Sequence, residues 1–493
     1  MYDALPCPIA ERGRATPEAP ALVDAAGTLS YRALDRMIAG VEAAMAAEGV
    51  GAGDRVATIG PADRHAIAAF WAAMRRRAVV CPLSDRLPAA AIDARIDELG
   101  IGFLLAADGT TRAGARPIPW RAGDAFASDD GEERPAAFDL DAPAAALFTS
   151  GSTGRPRAAL LRFGQLYFNA LGASQNMPLG AGDRWLLALP LYHVSGIGVL
   201  FRTFLAGSSL GVLPSSTPLE ERLGQGDITH LSLVPAQLIR LLDAGVMPGA
   251  LRAVLLGGSQ VPSGLLERAL ERGWPIHTTY GLTEMGSQVT TTRAGAGLAE
   301  LRSSGALLPY RELRIDGAGE IHVRGKTLFA GYLTADGLQQ PFDEAGWYAT
   351  GDLGRLDEQG LLHVRGRRDN LFISGGENIQ PEEIEQALVR CAGVLRALVV
   401  PVPDAVYGQR PFAFVETGPA YGGEDALLRQ LAEGLPRFKL PVGIAPWPAD
   451  APAGLKPPRP WFAERAASTL RTSPSRRRVA SSGSAPPLEE GPG

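Results

Sequence analysis

Cysteine is scarce in this sequence: the three residues of this type, Cys7, Cys81 and Cys391, lie far apart. Zinc sites and disulfide frameworks need cysteines at short or repeated spacings, so this distribution argues against both. Because disulfides are rare in reducing compartments, the low cysteine content leads us to expect a cytoplasmic protein.

Long apolar runs and an excess of one charge are also absent. No apolar stretch reaches the length of a membrane span, and Met1–Pro8 lacks the charged and apolar segments of a secretion signal. The net charge is −5, with both signs interspersed along the chain. We therefore expect neither a membrane span nor a nucleic-acid partner.

At 493 residues the chain is long enough for two or more domains. Up to about residue 272, strand-like runs such as Arg55–Ile59 alternate with helical patterns, which predicts a parallel sheet with crossover helices. From about residue 309, short alternating strands indicate a β-rich portion, and a further small unit begins after Arg367. Residues 468–493 contain mainly Ser, Pro, Gly and charged residues, and we expect them to form a disordered tail.

The stretch from Phe148 to Arg157 joins an apolar run to a turn made of glycines and hydroxyl residues. Glycines let the backbone turn its N–H groups inward, the hydroxyls add donors, and Arg157 adds charge, which together suit a nucleotide's phosphates. The turn residues are Ser150, Gly151, Ser152, Thr153 and Gly154. The Walker spacing is absent, and an ordinary surface loop is the alternative for this stretch alone.

Four further side chains are ambiguous when each is taken alone. His193 follows a strand and could be a packed polar residue, and Glu284 could hold Mg²⁺ or lie on a surface turn. Asp352 could bind ribose hydroxyls or close a β-turn, and Lys456 is an isolated lysine in a Gly/Pro-rich loop.

In their order and spacing, these motifs resemble those of the adenylate-forming superfamily, which includes acyl-CoA synthetases, adenylation domains and luciferase. The resemblance extends over about residues 10–465, and its most specific pieces are Thr149–Gly154, Tyr280–Glu284, Thr350–Asp352 and Ile373–Ile379. Within the superfamily, the stretches Pro190–Arg202, Leu255–Gln260 and Gly454–Arg459 resemble the o-succinylbenzoate–CoA ligase branch of menaquinone biosynthesis.

The resemblance implies a fold, a reaction and a set of co-substrates. The fold class is α/β plus α+β, with a large AMP-binding domain over residues 1–366, made of parallel-sheet α/β subdomains and the β-rich portion. A small mobile C-terminal α+β domain over residues 367–467 would carry the catalytic lysine. A carboxylic acid would attack ATP to give an acyl-adenylate and pyrophosphate, and CoA would then form the thioester and release AMP. Mg²⁺ is the implied cofactor, and a homo-oligomer is left open beside a monomer.

The resemblance also assigns roles to residues around the nucleotide. The triphosphate would be held by Thr149, Ser150, Gly151, Ser152, Thr153, Gly154 and Arg157. Adenine would be enclosed by Gly257, Gly258, Tyr280 and Gly281, and ribose by Asp352 and Arg367. Thr283 would contact the α-phosphate, Glu284 the magnesium, and Lys456 both the carboxylate and the α-phosphate.

The remaining roles concern the acyl group, the CoA channel and the hinge. His193 and Ser259 would flank the acyl group, and Arg202 could pair with a second carboxylate of an aryl dicarboxylic acid, the alternative being a helix-surface cation. Asp369 would be the hinge about which the small domain rotates between the two half-reactions. The thiol's approach would be lined by Ser374, Gly375, Gly376 and Glu377.

Two positions depart from the family's pattern. Arg157 stands where lysine is usual, so we expect altered pyrophosphate handling while adenylation survives. The common Gly-Lys pair is split as Gly454-Leu455-Lys456.

Three alternatives to the o-succinylbenzoate assignment stay open. They are another aryl- or fatty-acyl-CoA ligase, an adenylating enzyme that loads a carrier protein, and a nucleotide-binding regulatory protein without catalysis. Turnover with free CoA would separate the first from the second, and pyrophosphate release would exclude the third.

Overall fold

The computed structural model describes residues 4–106, 112, 114–118, 137–149, 157–214, 217–334, 336–375, 377–404, 406–452 and 458–472. Two compact units are present: Met1–Val261, Leu265–Thr350 and Leu356–His363 form the first, and Pro262–Gly264, Gly351–Arg355 and Val364–Gly493 the second. The expected boundary after residue 366 stays a prediction. Among the described helices, none combines the length and apolarity that a membrane crossing requires.

In the first unit, strands and helices alternate for most of the chain. Up to residue 149 the elements are β1 (Ala4–Pro6), α1 (Pro8–Ala15), β2 (Pro20–Asp24), β3 (Gly27–Ser30), α2 (Tyr31–Ala47), β4 (Arg55–Ile59), α3 (Arg64–Arg75), β5 (Val79–Leu83), α4 (Ala89–Leu99), β6 (Phe103–Ala106), β7 (Arg116–Pro117), β8 (Ala137–Asp139) and β9 (Pro143–Thr149). From residue 157 they are β10 (Arg157–Arg162), α5 (Phe163–Ser174), β11 (Arg184–Leu187), α6 (Val194–Ala206), β12 (Ser209–Val212), α7 (Leu219–Gly224), β13 (His230–Leu233), α8 (Pro235–Asp243), β14 (Ala253–Leu256), α9 (Ser263–Glu271), β15 (Ile276–Leu282), β16 (Ser287–Thr291) and α10 (Leu298–Leu301). The β-rich portion follows with β17 (Ala306–Leu307), β18 (Arg311–Ile315), β19 (Glu320–Gly325), β20 (Gly331–Thr334), β21 (Gly337–Gln339), β22 (Tyr348–Leu356) and β23 (Leu362–Arg367).

Two large mixed sheets organise the first unit. One has the order β17-β16-β15-β14-β13-β11-β12-β2-β3, and its strands from β15 to β2 are parallel. The other has the order β21-β20-β10-β9-β5-β4-β6-β7, in which β10 and β20 run antiparallel to their neighbours. The predicted parallel sheets with crossover helices are confirmed, with antiparallel strands added at both edges of the first sheet and at one edge of the second.

Local sequence signals explain where the helices begin and end. Ser30 caps α2 by accepting a hydrogen bond from the backbone N–H of Ala33 at 3.2 Å. α6 ends at Gly207, which adopts the left-handed conformation with φ of 70°. β11 ends at Leu187, where the chain turns and the Ala188 N–H donates to the Leu186 carbonyl oxygen.

A cluster of buried aromatic rings fixes α6 in the first unit. Trp71 on α3 is fully buried, and its ring centre lies 5.2 Å from that of Phe201 and 5.8 Å from that of Phe204. Large rings of this kind contribute much of the apolar area that a core removes from water. The packing therefore orients α6 firmly, which matters because His193 and Arg202 lie at its start and within it.

The second unit contains a five-stranded sheet with helices on both faces. Its elements are β24 (Phe372–Ser374), β25 (Glu377–Ile379), α11 (Pro381–Arg390), β26 (Val394–Asp404), β27 (Gly408–Thr417), α12 (Glu424–Gly434), β28 (Ile444–Pro446) and α13 (Arg459–Thr472). Alternate residues of β26 and β27 pack against α11 and α12 on one face and against α13 on the other. α13 continues to Thr472, past the start of the predicted tail, because Phe462 and Ala466 are fully buried.

Two buried histidines lie in the largest sheet. His230 contacts the Pro178 carbonyl oxygen through Nε2 at 3.2 Å, and His277 contacts the Thr292 carbonyl oxygen through Nδ1 at 2.9 Å. Burial lowers the pKa of both rings below the ordinary value of 6.5. The folded state therefore favours neutral imidazoles.

We predict that the free energy of unfolding decreases as the pH falls below about 6.5. Above that pH both rings are neutral in the folded and unfolded states, and this contribution to stability is complete. Below it the unfolded chain takes up protons that the folded chain accepts only at its lowered pKa values. Urea unfolding midpoints at pH 7.5 and pH 5.5 measure the effect, which should be smaller in His277→Gln and His230→Gln. An equal loss in the parent and both variants would contradict the prediction.

Candidate active site

The strands on either side of the predicted phosphate loop form an antiparallel pair. Thr149 ends β9, and its hydroxyl donates to the backbone oxygen of Arg157, the first residue of β10, at 3.3 Å. The loop residues Ser150, Gly151, Ser152, Thr153 and Gly154 lie outside the described residues. Their contact with phosphate stays a prediction.

The segment from Tyr280 to Met285 lies where β15 turns back into β16. Tyr280 and Glu284 are both buried, with 8% of their surface exposed, and Thr283 is half-buried. A short 3₁₀ turn, Thr283–Met285, changes the direction of the chain, and Gly281 pairs with Gln288 across the two strands. Tyr280 therefore lies near the end of β15, and Thr283 and Glu284 lie in the turn that follows it.

One oxygen of Glu284 is held by a tyrosine that the sequence analysis did not identify. The Tyr332 hydroxyl donates to Glu284 Oε1 at 2.5 Å and contacts the Tyr348 hydroxyl at 2.8 Å. Arg157 donates from Nη2 to the same Tyr332 oxygen at 3.2 Å and places its guanidinium 4.0 Å from the ring centre. Burial, with the nearby Glu284 carboxylate, strongly raises the pKa of Tyr332. Tyr332 was missed because its partners are 48 and 175 positions away.

Glu284 fits the role of a magnesium ligand. Carboxylate oxygens are the donors that Mg²⁺ prefers, and one of the two in Glu284 is already oriented by Tyr332. Within the described part of the chain, no donor is bonded to the second oxygen. This arrangement leaves one oriented carboxylate oxygen to meet a cation.

A second acidic cluster is explained by hairpin structure. The ligand atoms of Asp316, Glu320 and His322 lie within 4.8 Å of one another. Asp316 accepts backbone N–H groups in its turn and contacts His322 Nε2 at 3.1 Å. Asp357 and His363 repeat this arrangement in the next hairpin, with a contact of 2.7 Å. The repeat assigns these residues to turn formation.

The Gly257-Gly258 turn directly follows β14, beside β15. Leu256 pairs with Thr278, and a Cβ atom on Gly257 would lie 2.7 Å from the Thr279 side chain. Gly258 has φ of 83°, a conformation that favours glycine. Ser259 is exposed. The turn is therefore a glycine-dependent element at the carboxyl end of a parallel strand, where ligands gather in such sheets.

His193 and Arg202 are both positioned by α6. His193 is the N-cap residue of the helix, and its ring centre lies 4.8 Å from that of Tyr192. Arg202 is only 3% exposed, which shows that the alternative of a helix-surface cation is wrong. A Cβ atom on Gly198 would lie 3.2 Å from Arg202 Nη2, so glycine there leaves room for the guanidinium.

Arg202 has no ion-pair partner among the described residues. Its Nη1 donates to Gln288 Oε1 at 2.6 Å, and its guanidinium lies 4.8 Å from the Trp185 ring centre. Nε and Nη2 are buried without hydrogen-bond partners in the described structure. Burial lowers the pKa of Arg202 to about 9. A buried guanidinium with two unused nitrogens is well suited to bind an anion.

A second buried arginine nearby has its hydrogen bonds within the protein. Arg311 donates to the carbonyl oxygens of Gln288, Pro309 and Asn169 at 2.7, 2.5 and 3.0 Å. Burial, with the charge of Arg202 adding to it, lowers the pKa of Arg311 to about 9. Because its donors reach backbone oxygens, Arg311 has a structural role, whereas Nε and Nη2 of Arg202 have no such partner in the described structure.

The remaining candidate residues belong to the second unit. Asp352 is 9% exposed, and its Oδ1 lies 3.3 Å from Nη1 of Arg367. Asp369 is exposed in the short 3₁₀ turn Arg368–Asn370. The roles of these three residues in ribose binding and hinge motion stay predictions.

The predicted CoA-channel turn is partly described. Ser374 is buried, Gly375 has φ of 58°, and Glu377 is exposed. Gly376 and Lys456 lie outside the described residues. Near Lys456 in sequence, Arg459 at the start of α13 pairs with Glu385 at 2.7 Å and Glu382 at 3.2 Å on α11.

Comparison with protein families and curated proteins finds matches along most of the chain. The AMP-binding enzyme family matches residues 9–333, and the AMP-binding enzyme C-terminal domain matches residues 383–450. The 2-succinylbenzoate–CoA ligase of Salmonella typhimurium is 36% identical over 89% of this chain and 92% of its own. The same enzyme of Geobacillus kaustophilus is 38% identical, over 62% of this chain and 66% of the relative, just under two thirds of its length.

Solved structures with the same fold agree with these matches. An arginine-to-lysine variant of E. coli MenE with bound OSB-AMS has a TM-score of 0.83 and 31% identity, covering 95% of this chain and 99% of that one. The o-succinylbenzoate CoA synthetase MenE from Bacillus subtilis, in complex with the acyl-adenylate intermediate OSB-AMP, has a TM-score of 0.83 and 28% identity, covering 94% and 98%. A B. subtilis complex with ATP and magnesium ion has a TM-score of 0.82 at 28% identity, covering 93% and 99%.

These matches cover both units and confirm the fold class and the resemblance inferred from the motifs. The chain therefore belongs to the AMP-binding enzyme family.

Proposed function

We propose that this chain is an AMP-forming acid–CoA ligase that converts 2-succinylbenzoate to 2-succinylbenzoyl-CoA, a step of menaquinone biosynthesis. The observation that carries the choice of substrate is Arg202, whose buried guanidinium has no acidic partner in the described structure. An acid with one carboxylate to activate and a second to bind supplies that partner. The curated relatives from Salmonella typhimurium and Geobacillus kaustophilus carry the name of this activity.

The first half-reaction brings two anions together. A carboxylate oxygen of the acid attacks the α-phosphorus of ATP, and the bond from that phosphorus to pyrophosphate breaks. The protein contributes positioning and charge compensation, which are the main requirements of phosphoryl chemistry. Thr283 contacts the α-phosphate, Lys456 offsets the repulsion between the two anions, and the loop residues with Arg157 hold the triphosphate.

Adenine and ribose orient the nucleotide for this attack. The Gly257-Gly258 turn admits a flat ring close to the backbone, with Tyr280 enclosing it. Asp352 accepts hydrogen bonds from the ribose hydroxyls, and Arg367 holds its carboxylate. Glu284 would hold Mg²⁺, which when bound would neutralise phosphate charge.

The second half-reaction requires no charge compensation at phosphorus. The CoA thiol sulfur attacks the acyl carbon of the adenylate, and the bond from that carbon to the AMP oxygen breaks. Ser374, Gly375, Gly376 and Glu377 line the thiol's approach, and Asp369 is the hinge that permits it. His193 and Ser259 flank the acyl group in both steps.

We predict that the purified chain, given Mg²⁺, ATP and free CoA, forms a thioester from 2-succinylbenzoate with equal amounts of AMP and pyrophosphate. Benzoate and medium-chain fatty acids should give a kcat/KM at least about tenfold lower, because they lack the second carboxylate. Chromatography of the thioester with coupled pyrophosphate detection measures both. Equal use of the monocarboxylates would favour another acyl-CoA ligase, and AMP formation without a CoA thioester would favour carrier-protein loading.

We predict that Arg202→Gln raises the KM for 2-succinylbenzoate about tenfold or more, because a charge-assisted hydrogen bond to the second carboxylate is lost. Arg202→Lys should recover only part of this affinity, since lysine keeps the charge without the planar fork. The control is Arg302→Gln, which removes an exposed arginine paired with Glu267 in the same unit. An unchanged KM in Arg202→Gln would exclude the second-carboxylate role.

We predict that Lys456→Ala slows adenylate formation about a hundredfold or more, because the positive charge that offsets the repulsion between acid and α-phosphate is then lost. The same variant should form the thioester from supplied acyl-adenylate and CoA at close to the parent rate. Single-turnover measurements of each half-reaction test this separation, with Lys439→Ala as a control lysine of the second unit. Equal losses in both half-reactions would rule out the assignment.

A further inference from the structure

A single buried hydroxyl lies between the strand that follows the phosphate loop and the predicted metal ligand. Tyr332 on β20 is fully buried, and its oxygen lies 2.5 Å from Glu284, 2.8 Å from Tyr348 and 3.2 Å from Arg157. All four residues belong to the first unit.

The chemistry of the four groups fixes the direction of each hydrogen bond. A phenol has one proton to donate and two lone pairs to accept with. Arg157 has only donors, so it occupies one lone pair of the Tyr332 oxygen. An ionised Glu284 has only acceptors, so it takes the single proton of Tyr332, and the Tyr348 hydroxyl donates to the remaining lone pair.

Such a fully used hydroxyl restricts the rotation of the Glu284 carboxylate. Oε1 is held by a hydrogen bond to a charged acceptor, a class that is stronger than a neutral one. The Tyr332 ring is held in turn by the Arg157 guanidinium, 4.0 Å from its centre. Oε2 of Glu284 therefore has a set direction before any cation arrives.

We propose that Tyr332 is a positioning residue for the metal site: it orients Glu284 to receive the divalent cation of the metal–ATP complex, and Arg157 holds Tyr332 in place. This inference deepens the proposed function and rests on its ATP-dependent first step. It also assigns Arg157 a task toward Glu284 that a lysine, without a planar face, would perform less well.

Tyr332→Phe is the direct test, because it removes the hydroxyl and keeps the ring. We expect the dissociation constant of Mn²⁺–ATP, measured by titration calorimetry without acid or CoA, to rise about tenfold or more. The Mg²⁺ concentration for half-maximal adenylation should rise in parallel. AMP binding without metal and thioester formation from supplied acyl-adenylate should stay at parent values.

Tyr31→Phe is the matched control for the loss of a buried hydroxyl. Tyr31 is also fully buried in the first unit, and its hydroxyl donates to the Ser208 carbonyl oxygen at 2.7 Å. This variant should lower the unfolding temperature without changing the metal requirement. A second variant, Tyr348→Phe, leaves Tyr332 in place and should shift the metal requirement in the same direction by a smaller factor.

Parent-like Mn²⁺–ATP binding in both Tyr332→Phe and Tyr348→Phe would overturn the inference. If Tyr332→Phe does not fold, Tyr348→Phe decides alone. Because metal–ATP binding is measured without an acyl substrate, it supports or overturns the role of Tyr332 even where the parent makes no thioester from 2-succinylbenzoate. A parent that binds no ATP would instead remove the proposed function.

Discussion

The burial of charge without an opposite charge is the constraint on which this structure depends. Burying Arg202 in α6 removes its charge from water, which costs free energy that a surface arginine does not lose. No carboxylate among the described residues pairs with it to offset this cost. The fold offsets that cost through packing: Phe201 and Phe204 lock the helix against Trp71, and Gln288 takes one donor of the guanidinium. In the proposed function, the second carboxylate of the acid would satisfy the two guanidinium nitrogens that have no partner in the described structure.

Glu284 is a buried group of the opposite charge, and it differs from Arg202 in its hydrogen bonding. Its carboxylate is buried as well, but a hydroxyl donates to it, and the Arg157 guanidinium contacts that hydroxyl's ring and oxygen. Among the described residues, neither Arg202 nor Glu284 forms a salt bridge. The proposed function pairs Arg202 with the second carboxylate of the acid and Glu284 with a metal ion.

Local sequence determines much of this fold, and distant contacts determine the rest. The bounds of α6 follow from its apolar spacing and Gly207, and the cap at Ser30 follows from a hydroxyl before an apolar-periodic run. Tyr332 gives no such signal, because a tyrosine in a short strand has the same pattern whether or not a carboxylate lies near it. The extent of α13 also has no local sequence signal. Phe462 and Ala466 pack against the sheet of the second unit, and the helix that they anchor continues into the predicted tail. The roles of the phosphate loop and of Lys456 are predictions that rest on the resemblance to the family's motifs, because each of these stretches is ambiguous when taken alone.

The effect of having arginine at position 157, where the family usually has lysine, is visible only from the contacts of its side chain in the structure. From sequence, an arginine at a lysine position preserves charge and changes shape, which suggests altered contact with pyrophosphate. In the structure its guanidinium faces the Tyr332 ring and its Nη2 donates to the Tyr332 oxygen. An ammonium group can approach a ring or donate to an oxygen, but it lacks the planar surface with which a guanidinium does both at once. An arginine at position 157 therefore affects more than contact with phosphate. It also holds the Tyr332 hydroxyl, which we propose orients Glu284.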